Sequence, residues 1–462
     1  MTHGDTELIS AARAEDAARV RALLEAGPDP DLEALGADGL TALEIAAALG
    51  SYPVVDALRS HGAKLDRQGP DGLTPLLRAV DAGAYAAASL LLSSSVPTWP
   101  KGPDGRTALE LARHWHETGA ENELRRRSGG TGAAELSRVP DDEYSFSGLL
   151  RLGVDGPQVR TGHTAILCML EVAYGIRTPF AELLARAEAE ADLEGVTRSA
   201  AVTALYGRAD RETWEEAAAL RGHPQVSVRH FGADVVRCMN LFDAGDAGDA
   251  GETDDRGDEG DRGDGVAGAA AGETCVDGPA CVQVLTRDLF LAWAADEPAP
   301  EVLALLLCGL PDCPATVLSD AVLADALLPH AQHPSALVRR AVAMAFSRCA
   351  GEERVRPALL AYLRDTDGTV RGQACRALAE RGEPRERSSD VRKALRSLLA
   401  DPSVEIQIEA VRALVLLDDP RGEEALDWLT FGYQQDWPGY WSLDEAHRHL
   451  RRRREAATGA AD

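Results

Sequence analysis

Four cysteines form two pairs whose thiolates could bind a metal ion. Cys275 and Cys281 lie six residues apart, and Cys308 and Cys313 lie five apart. Four thiolates can hold zinc in a tetrahedral site. These spacings are wider than those of most structural zinc sites, and the sequence on both sides is typical of helices. We therefore expect unreactive thiols, and we keep a zinc site at these four residues as the weaker alternative.

Two histidines flank a tryptophan in the segment His114-Trp115-His116. Residues two positions apart on a helix point to different sides, and no third ligand is evident, so the segment does not predict a metal site. Trp115 is better explained as an aromatic residue that binds a partner or closes the end of a row of helices.

The acidic segment 243–265 carries ten Asp or Glu residues against two Arg. Asp243, Asp246 and Asp249 recur at every third position, whereas a calcium loop requires a different fixed spacing around a turn. The segment has no apolar periodicity with which to bury a core. We therefore predict a solvated, disordered insertion.

No nucleotide-binding or catalytic motif accompanies these residues. None of the lysines, Lys64, Lys101 and Lys393, stands between a glycine and a Ser or Thr, so the sequence lacks a phosphate-binding P-loop. No glycine-rich dinucleotide motif and no nucleophile motif occurs. The letters DEAH at 444–447 have no partner motif. We therefore predict no enzymatic activity, no cofactor and no metal.

Composition and charge restrict the class of protein further. The chain has 462 residues and a net charge of −27, which disfavours a general nucleic-acid binder and a surface for anionic lipids. Its eight cysteines are scattered, which is not typical of a disulfide framework. The first residues do not resemble a signal peptide, and no apolar run approaches the length of a membrane span. We expect a cytoplasmic protein without a membrane segment.

A pattern of turn and helix residues recurs at an interval of 33 residues. The copies begin at Asp38, Asp71 and Asp104. The Asp-Gly dipeptide that opens each copy predicts a tight turn, and the threonine three residues after the Asp is a candidate helix N-cap. A fixed period of this length predicts stacked helical units that bury their apolar faces only against each other.

This pattern resembles the ankyrin repeat, whose motif is Asp-Gly-x-Thr-Pro-Leu-x-x-Ala. Segment 71–83 matches that motif best, and a degenerate copy from Asp5 extends the resemblance to four units in residues 5–130. The family usually places His after Thr-Pro-Leu, where this chain has Glu44, Leu77 and Glu110. Stacking of apolar faces is therefore better supported than hydrogen bonding between units.

The ankyrin resemblance also implies where partners bind, because turn tips and exposed positions of the first helix usually make the contacts. On this chain those positions are Leu40, Ala48, Leu49, Leu73, Asp81, Ala82, Arg106, His114 and Trp115. Leu40, Leu49 and Leu73 would then form an exposed apolar patch. The alternative is that some of these residues pack under the next unit.

A second repeat follows in the rest of the chain. Val228, Val338, Val370 and Ile406 each open a stretch whose apolar residues recur at i, i+4, i+7 and i+8, which is one face of a helix. Prolines precede three of these helices. The pattern resembles the HEAT repeat, in which an Asp and an Arg form a hydrogen-bonded ladder between units. The resemblance implies a structural role for Arg160, Arg198, Arg229, Arg339 and Arg371.

These observations predict an all-α tandem solenoid, with ankyrin repeats followed by a HEAT-like superhelix. The predicted parts are ankyrin repeats at 5–130, a linker at 131–142, HEAT-like repeats at 143–242, the acidic insertion at 243–273, further HEAT-like repeats at 274–430, and an aromatic cap with an Arg-rich tail at 431–462. From 143 to about 430 we expect about seven or eight helix pairs.

The predicted function is non-catalytic protein–protein recognition by a scaffold or adaptor that binds its protein partners on the concave surfaces of the repeats. The alternative is a DNA-binding enzyme resembling the alkylpurine DNA glycosylases, which are HEAT-like and use a basic face. Segment 333–415 supports that alternative, because it carries fifteen Arg or Lys against eleven Asp or Glu. The negative charge of the whole chain makes nucleic acid the less favoured partner.

Overall fold

The computed structural model of this chain describes residues 5–26, 31–142, 145–190, 192–245, 279–380, 389–429 and 439–459. Its contacts divide the chain into a first unit, Met1–Ala209, and a second unit, Asp210–Asp462. Each unit is built mainly from short helices that alternate between two layers. This agrees with the predicted all-α solenoid class.

The first unit begins with four helical hairpins. Their helices are α1 Glu7–Arg13, α2 Ala17–Glu25, α3 Ala42–Leu49, α4 Tyr52–Ser60, α5 Pro75–Asp81, α6 Tyr85–Ser93, α7 Ala108–Thr118 and α8 Ala120–Ser128. After a small sheet the unit continues with α9 His163–Ala173, α10 Phe180–Glu188 and α11 Val196–Tyr206. The odd-numbered helices pack in sequence order as one layer, and α2, α4 and α6 form the other.

The recurring turn and cap chemistry explains why the hairpins start where they do. Thr41, Thr74 and Thr107 are N-caps, and each hydroxyl accepts a hydrogen bond from the third backbone N–H of its helix. The glycine of each Asp-Gly turn has a φ between 76° and 80°, a conformation that glycine adopts without strain. Glu44 and Glu110 complete capping boxes, so these carboxylates satisfy backbone donors at helix starts.

A three-stranded antiparallel sheet lies between α8 and α9, where the sequence predicts a linker and the first HEAT-like helices. Its strands are β1 Ala134–Pro140, β2 Phe146–Leu152 and β3 Gln158–Arg160, in the order β1-β2-β3. The predicted boundaries 131–142 and 143–242 are therefore wrong at this point. Arg160, which the HEAT resemblance assigns to the arginine ladder, pairs instead with Leu149 of β2, and Val159 pairs with Leu150.

Local features of the sequence explain why this segment forms strands and not the predicted helices. At the end of β2, Leu150 and Leu152 are buried and Arg151 between them is exposed, so this part of the strand presents one face to the core. Gly153 has a φ of 76° and Asp155 a φ of 59°, a left-handed turn that ends the strand and prevents a helix from continuing.

The second unit contains twelve helices within its described residues. They are α12 Arg211–Ala219, α13 Val226–Gly245, α14 Pro279–Ala294, α15 Pro300–Gly309, α16 Asp320–Leu327, α17 Ala336–Phe346, α18 Arg356–Tyr362, α19 Gly368–Glu380, α20 Ser389–Ser397, α21 Val404–Leu416, α22 Pro420–Leu429 and α23 Tyr440–Gly459. Helices α13, α15, α17, α19, α21 and α23 pack in order as one layer, which we name the odd layer.

Leucines of the last helix help to close the C-terminal end of the second unit. Leu443, Ala446 and Leu450 of α23 join a buried cluster with α21 and α22. The side chains of Trp428 and Trp441 are exposed. Of the predicted cap and tail at 431–462, residues 431–438 and the side chain of Tyr440 lie outside the described residues, as does the acidic insertion from residue 246 onward.

Candidate functional site

The exposed part of the predicted partner-binding set is small. Ala48 and Leu49 are exposed at the C-terminal end of α3, where 40% of Leu49 is accessible. Leu40 and Leu73 are half-buried and pack against the hydrophobic core of the first unit. The predicted apolar patch of three leucines is therefore reduced to Leu49, because the other two support the stacking of hairpins.

Trp115 is an internal residue, which corrects the prediction that it faces a partner. Only 2% of it is exposed. Its indole Nε1 donates a hydrogen bond of 3.0 Å to Oδ1 of Asp81, and its ring stacks on His163 with centroids 4.2 Å apart. The guanidinium of Arg127 lies 4.5 Å from the ring centroid and donates to both carboxylate oxygens of Asp81.

The turn that contains Asp81 and Ala82 also makes contacts with another segment of the chain. The backbone N–H of Arg160 donates a 3.1 Å hydrogen bond to the carbonyl of Ala82, and Gly162 donates to Gly83 at the same distance. A Cβ atom on Gly83 would lie 2.2 Å from the carbonyl oxygen of Arg160. The turn at Asp81 and Ala82 therefore packs against β3 and the start of α9. This contact was not predicted, because the sheet was not predicted.

Arg106 and His114, the last two residues of the predicted set, lie together: His114 is on α7 and Arg106 is in the turn before it. Both are half-buried, with Arg106 Nη2 3.4 Å from His114 Nδ1. Nε2 of His114 lies 3.1 Å from the buried carboxylate of Glu123, whereas Nδ1 of His116 lies 2.9 Å from the hydroxyl of Thr164. The two histidines thus have separate partners, as their spacing on a helix predicts.

A row of buried ion pairs links neighbouring helix pairs of the second unit. Arg339 binds both oxygens of Asp365 at 2.8 Å, and Arg371 binds Asp401 at 2.8 and 2.9 Å. Each arginine also donates to two backbone carbonyls of the turn before its own helix. Such bidentate, charge-assisted bonds fix the register of one hairpin on the next.

The first ion pair of this row uses a residue that sequence reasoning missed. Arg229 binds the carboxylate of Glu297 at 2.9 and 2.7 Å, although Glu297 is not part of an Asp-Pro motif. Trp293 Nε1 and the N–H of Ala299 also donate to Glu297. At the last repeat Gln407 replaces the arginine, and its amide donates to the carbonyl of Asp401.

One face of the odd layer exposes apolar side chains in the middle of the second unit. Helix α17 packs against α15 and α19 in the odd layer and against α16 and α18 of the other layer. Leu337 and Met344 lie two turns apart on α17 and are 42% and 40% exposed. Arg340 lies between them and donates to Asp367 at the start of α19. We name Leu337, Arg340 and Met344 the α17 face.

Comparison with known proteins identifies the repeats of this region. Residues 324–388 and 357–440 match a family model described as HEAT repeats. Residues 324–440 are HEAT repeats. A solved structure of YibA from Escherichia coli is similar at 16% identity, covering 59% of this chain and 93% of that chain, with a TM-score of 0.39. A search of the curated proteins found no match.

The ion pair between neighbouring HEAT repeats makes stability depend on pH. The hydrogen bonds from Arg339 hold the pKa of Asp365 below its ordinary value. The folded state therefore gains stability above the unfolded pKa of about 3.9, and this gain is lost as the pH falls through the folded pKa. In urea unfolding, we expect the free energy of unfolding of Asp365→Asn to fall less between pH 7 and pH 2.5 than that of the wild type. The control Asp288→Asn, at an exposed site, should show the same fall as the wild type.

Of the four cysteines of the candidate zinc site, the structure describes the side chains of Cys308 and Cys313. Burial raises the pKa of Cys308 and of Cys313 to about 11, so both are protonated thiols at neutral pH. Cys275 and the side chain of Cys281 lie outside the described residues. No group of three or more His, Cys, Asp or Glu suited to a metal occurs among the residues that the structure describes.

No helix in the described ranges is both long enough and apolar enough to span a membrane.

Proposed function

We propose that this chain is a non-catalytic scaffold that binds partner proteins on exposed faces of its stacked helical hairpins. The observation that carries the proposal is the α17 face, where Leu337 and Met344 remain exposed although α17 is enclosed on its other sides. We further propose that the hairpins of residues 5–130 are ankyrin repeats and that the scaffold acts in the cytoplasm. The 33-residue period and its capped turns support the first of these.

The chemistry of the α17 face favours a protein partner. Methionine and arginine are enriched at the energetic centres of protein interfaces, and an apolar pair bordered by a charged group provides both contact area and orientation. Arg340 is held by Asp367 at 2.8 Å, so its position is fixed before a partner arrives. Fixing it in advance reduces the entropy lost on binding.

The first unit contributes a second surface to this proposal. Ala48 and Leu49 of the predicted set are exposed, and Arg106 and His114 are accessible in part. Leu40 and Leu73 are half-buried and pack against the core. We propose that these six residues contact a partner, with Leu49 as its apolar centre.

The pairing of arginines in the second unit argues against the DNA-binding alternative. Although segment 333–415 has an excess of positive charge, Arg376 binds Glu409 at 2.7 Å and Arg396 binds Asp419 at 2.6 Å. Phosphate binding requires cations that can exchange their counterions for the nucleic acid. Arginines that are already neutralised by carboxylates within the fold provide less of this binding energy.

The α17 face can be tested by placing charge on it. We expect the double variant Leu337→Asp, Met344→Asp to reduce recovery of specific partners at least about tenfold, because an interface centre loses its apolar contacts and gains two buried charges. The measurement is affinity purification of the full-length chain followed by quantitative mass spectrometry.

The matched control is Val322→Asp, which adds a charge at an exposed apolar residue of α16. This variant should recover the same partners as the wild-type chain, and all three proteins should have the same circular dichroism spectrum and melting temperature. Equal recovery with the double variant, or no specific partner for the wild type, would contradict the proposal.

A further inference from the structure

A cavity of about 600 Å³ opens in the first unit. Its walls come from β1 and β2, from α7 and α9, and from the segment that joins α10 to α11. This volume is in the range that holds small organic ligands or a few residues of a peptide. The sheet that the sequence analysis missed forms one of its sides.

Glu190 provides a carboxylate on the cavity wall without a cationic partner. Its Oε2 accepts a 2.9 Å hydrogen bond from the N–H of Thr197, and the Thr197 side chain and the N–H of Arg198 also hydrogen-bond to this carboxylate. No Arg, Lys or His side chain within the described ranges pairs with it. A Cβ atom on Gly195 would lie 2.5 Å from both carboxylate oxygens, so this glycine makes room for the group. Burial raises the pKa of Glu190 above its ordinary value, because its charge is partly removed from water.

The two arginines of the cavity wall are already neutralised. Arg138 binds Asp192 and Glu194 at 2.5 Å each. Arg186 is only 6% exposed and binds Glu171 at 2.7 Å and Glu182 at 2.6 Å. Arg113 lies 3.7 Å from Glu171 as well. Four carboxylates therefore pair with three guanidinium groups, and Glu190 adds a fifth negative charge to the same region. The cavity consequently favours a cation.

Apolar and hydrogen-bonding groups of the cavity indicate which other parts a ligand should have. Leu136 at the rim is 68% exposed, and the ring of Phe146 beneath Arg138 lies on the same side. The second ring nitrogen of His116 makes no hydrogen bond to any described residue, and Nε of the buried Arg186 also lacks a partner there. An apolar stem and a nearby polar group on the ligand would match these features.

We propose that this cavity binds the guanidinium or ammonium group of a ligand through Glu190, with the apolar stem of that ligand against Leu136 and Phe146. The cation belongs either to a free small molecule or to an arginine or lysine side chain of a peptide. The pocket lies wholly within the first unit, so the proposal is independent of the α17 face. In either case the cation compensates the charge of this partly buried carboxylate.

Calorimetric titration of the full-length chain tests this proposal with two pairs of probes of equal shape. Butylguanidinium is compared with neutral butylurea, and acetyl-Gly-Arg-Gly-amide with its neutral citrulline counterpart. We expect each cation to bind at least about tenfold more tightly than its neutral partner, because only the cation pairs with Glu190. A peptide that binds much more tightly than butylguanidinium identifies the source as a peptide, and the reverse order identifies a free small molecule.

Glu190→Gln keeps the hydrogen-bond acceptor for Thr197 and removes the charge. We expect this variant to weaken binding of both cations about tenfold, whereas Glu135→Gln, at an exposed carboxylate of β1 outside the cavity, leaves binding unchanged. The wild-type comparison of charged and neutral probes needs no variant and decides the matter if Glu190→Gln is unstable. Equal binding of cation and neutral analogue, or no binding of any probe at millimolar concentration, would overturn the proposal.

Discussion

Replacing Trp115 with alanine is expected to destabilise the first unit by about 3–5 kcal/mol, the usual cost of removing a large buried aromatic side chain. The indole is almost fully buried and stacks on His163. Its loss would leave a cavity between α7 and α9, the helices that carry the two rings. It would also remove the surface over which the guanidinium of Arg127 lies.

Trp115→Ala also removes a hydrogen bond, because Asp81 loses the indole N–H of Trp115 as a donor. Asp81 then depends on Arg127 alone for side-chain hydrogen bonds among the described residues. Burial lowers the pKa of His163 to about 3, so the imidazole is neutral at pH 7 and cannot replace the lost cation–π contact by a charge of its own. The fixed position of the Asp81 turn, on which β3 is seated, should therefore become less stable.

Urea unfolding followed by circular dichroism would measure this change. The control is Trp99→Ala, which removes an exposed tryptophan of the same unit and should cost less than about 1 kcal/mol. If Trp115→Ala were as stable as Trp99→Ala, the packing of α7 on α9 would not depend on the indole, and the assignment of Trp115 as an internal residue would be wrong.

Replacing Glu297 with alanine should have an effect of similar size in the second unit, about 3–5 kcal/mol. Arg229 and Glu297 are both nearly buried, so the substitution leaves an uncompensated guanidinium inside the protein. Two further donors, Trp293 Nε1 and the N–H of Ala299, would also lose their acceptor. A buried donor without a partner adds a penalty of about 1–3 kcal/mol.

The neighbouring residue offers a control of the same charge. Asp296 is adjacent in sequence but exposed, and it makes one contact of 3.1 Å with Arg221. Asp296→Ala should change stability by less than about 1 kcal/mol, as expected for a surface ion pair. Equal stability of the two variants in urea unfolding at pH 7 would show that the Glu297 pair does not hold α13 against its neighbours.

A second test distinguishes lost charge pairing from lost packing. The double variant Arg229→Met, Glu297→Leu removes both charges and keeps apolar volume. We expect it to recover most of the stability that Glu297→Ala loses, because replacing a whole buried pair by apolar groups is often close to neutral. Failure of this rescue would assign the loss to the other hydrogen bonds of Glu297.

Much of the repeat architecture was predictable because its signals are local. The N-caps Thr41, Thr74 and Thr107 act on backbone groups three residues away. The arginines at Arg339 and Arg371 stand at fixed positions in a repeated motif, and their acceptors Asp365 and Asp401 open the next copies. Periodicity therefore predicts these contacts across about 30 residues, since each copy repeats the geometry of the last.

The candidate sites were predictable only in part. Leu49 is exposed as the resemblance implied, whereas Trp115, Asp81 and Ala82 are enclosed by the sheet and α9. The sequence signal that could have revealed the sheet was the turn-forming segment Gly153-Val154-Asp155-Gly156, in which Gly153 and Asp155 have positive φ. Glu190 carried no sequence signal, because an isolated glutamate near a helix end is ordinary in a chain with this many acidic residues.

By itself the sequence determined that the chain forms serially stacked helical hairpins, where they begin, and which arginines link neighbouring repeats in the second unit. Only the tertiary structure decided which hairpin surfaces stay exposed and that a cavity forms beside Glu190. The physical reason is separation along the chain: Asp81 meets Arg127 from 46 residues away, and Ala86 meets Asp141 from 55 residues away. Contacts of this kind depend on how non-repeating segments fold back, which no local pattern of residue types encodes.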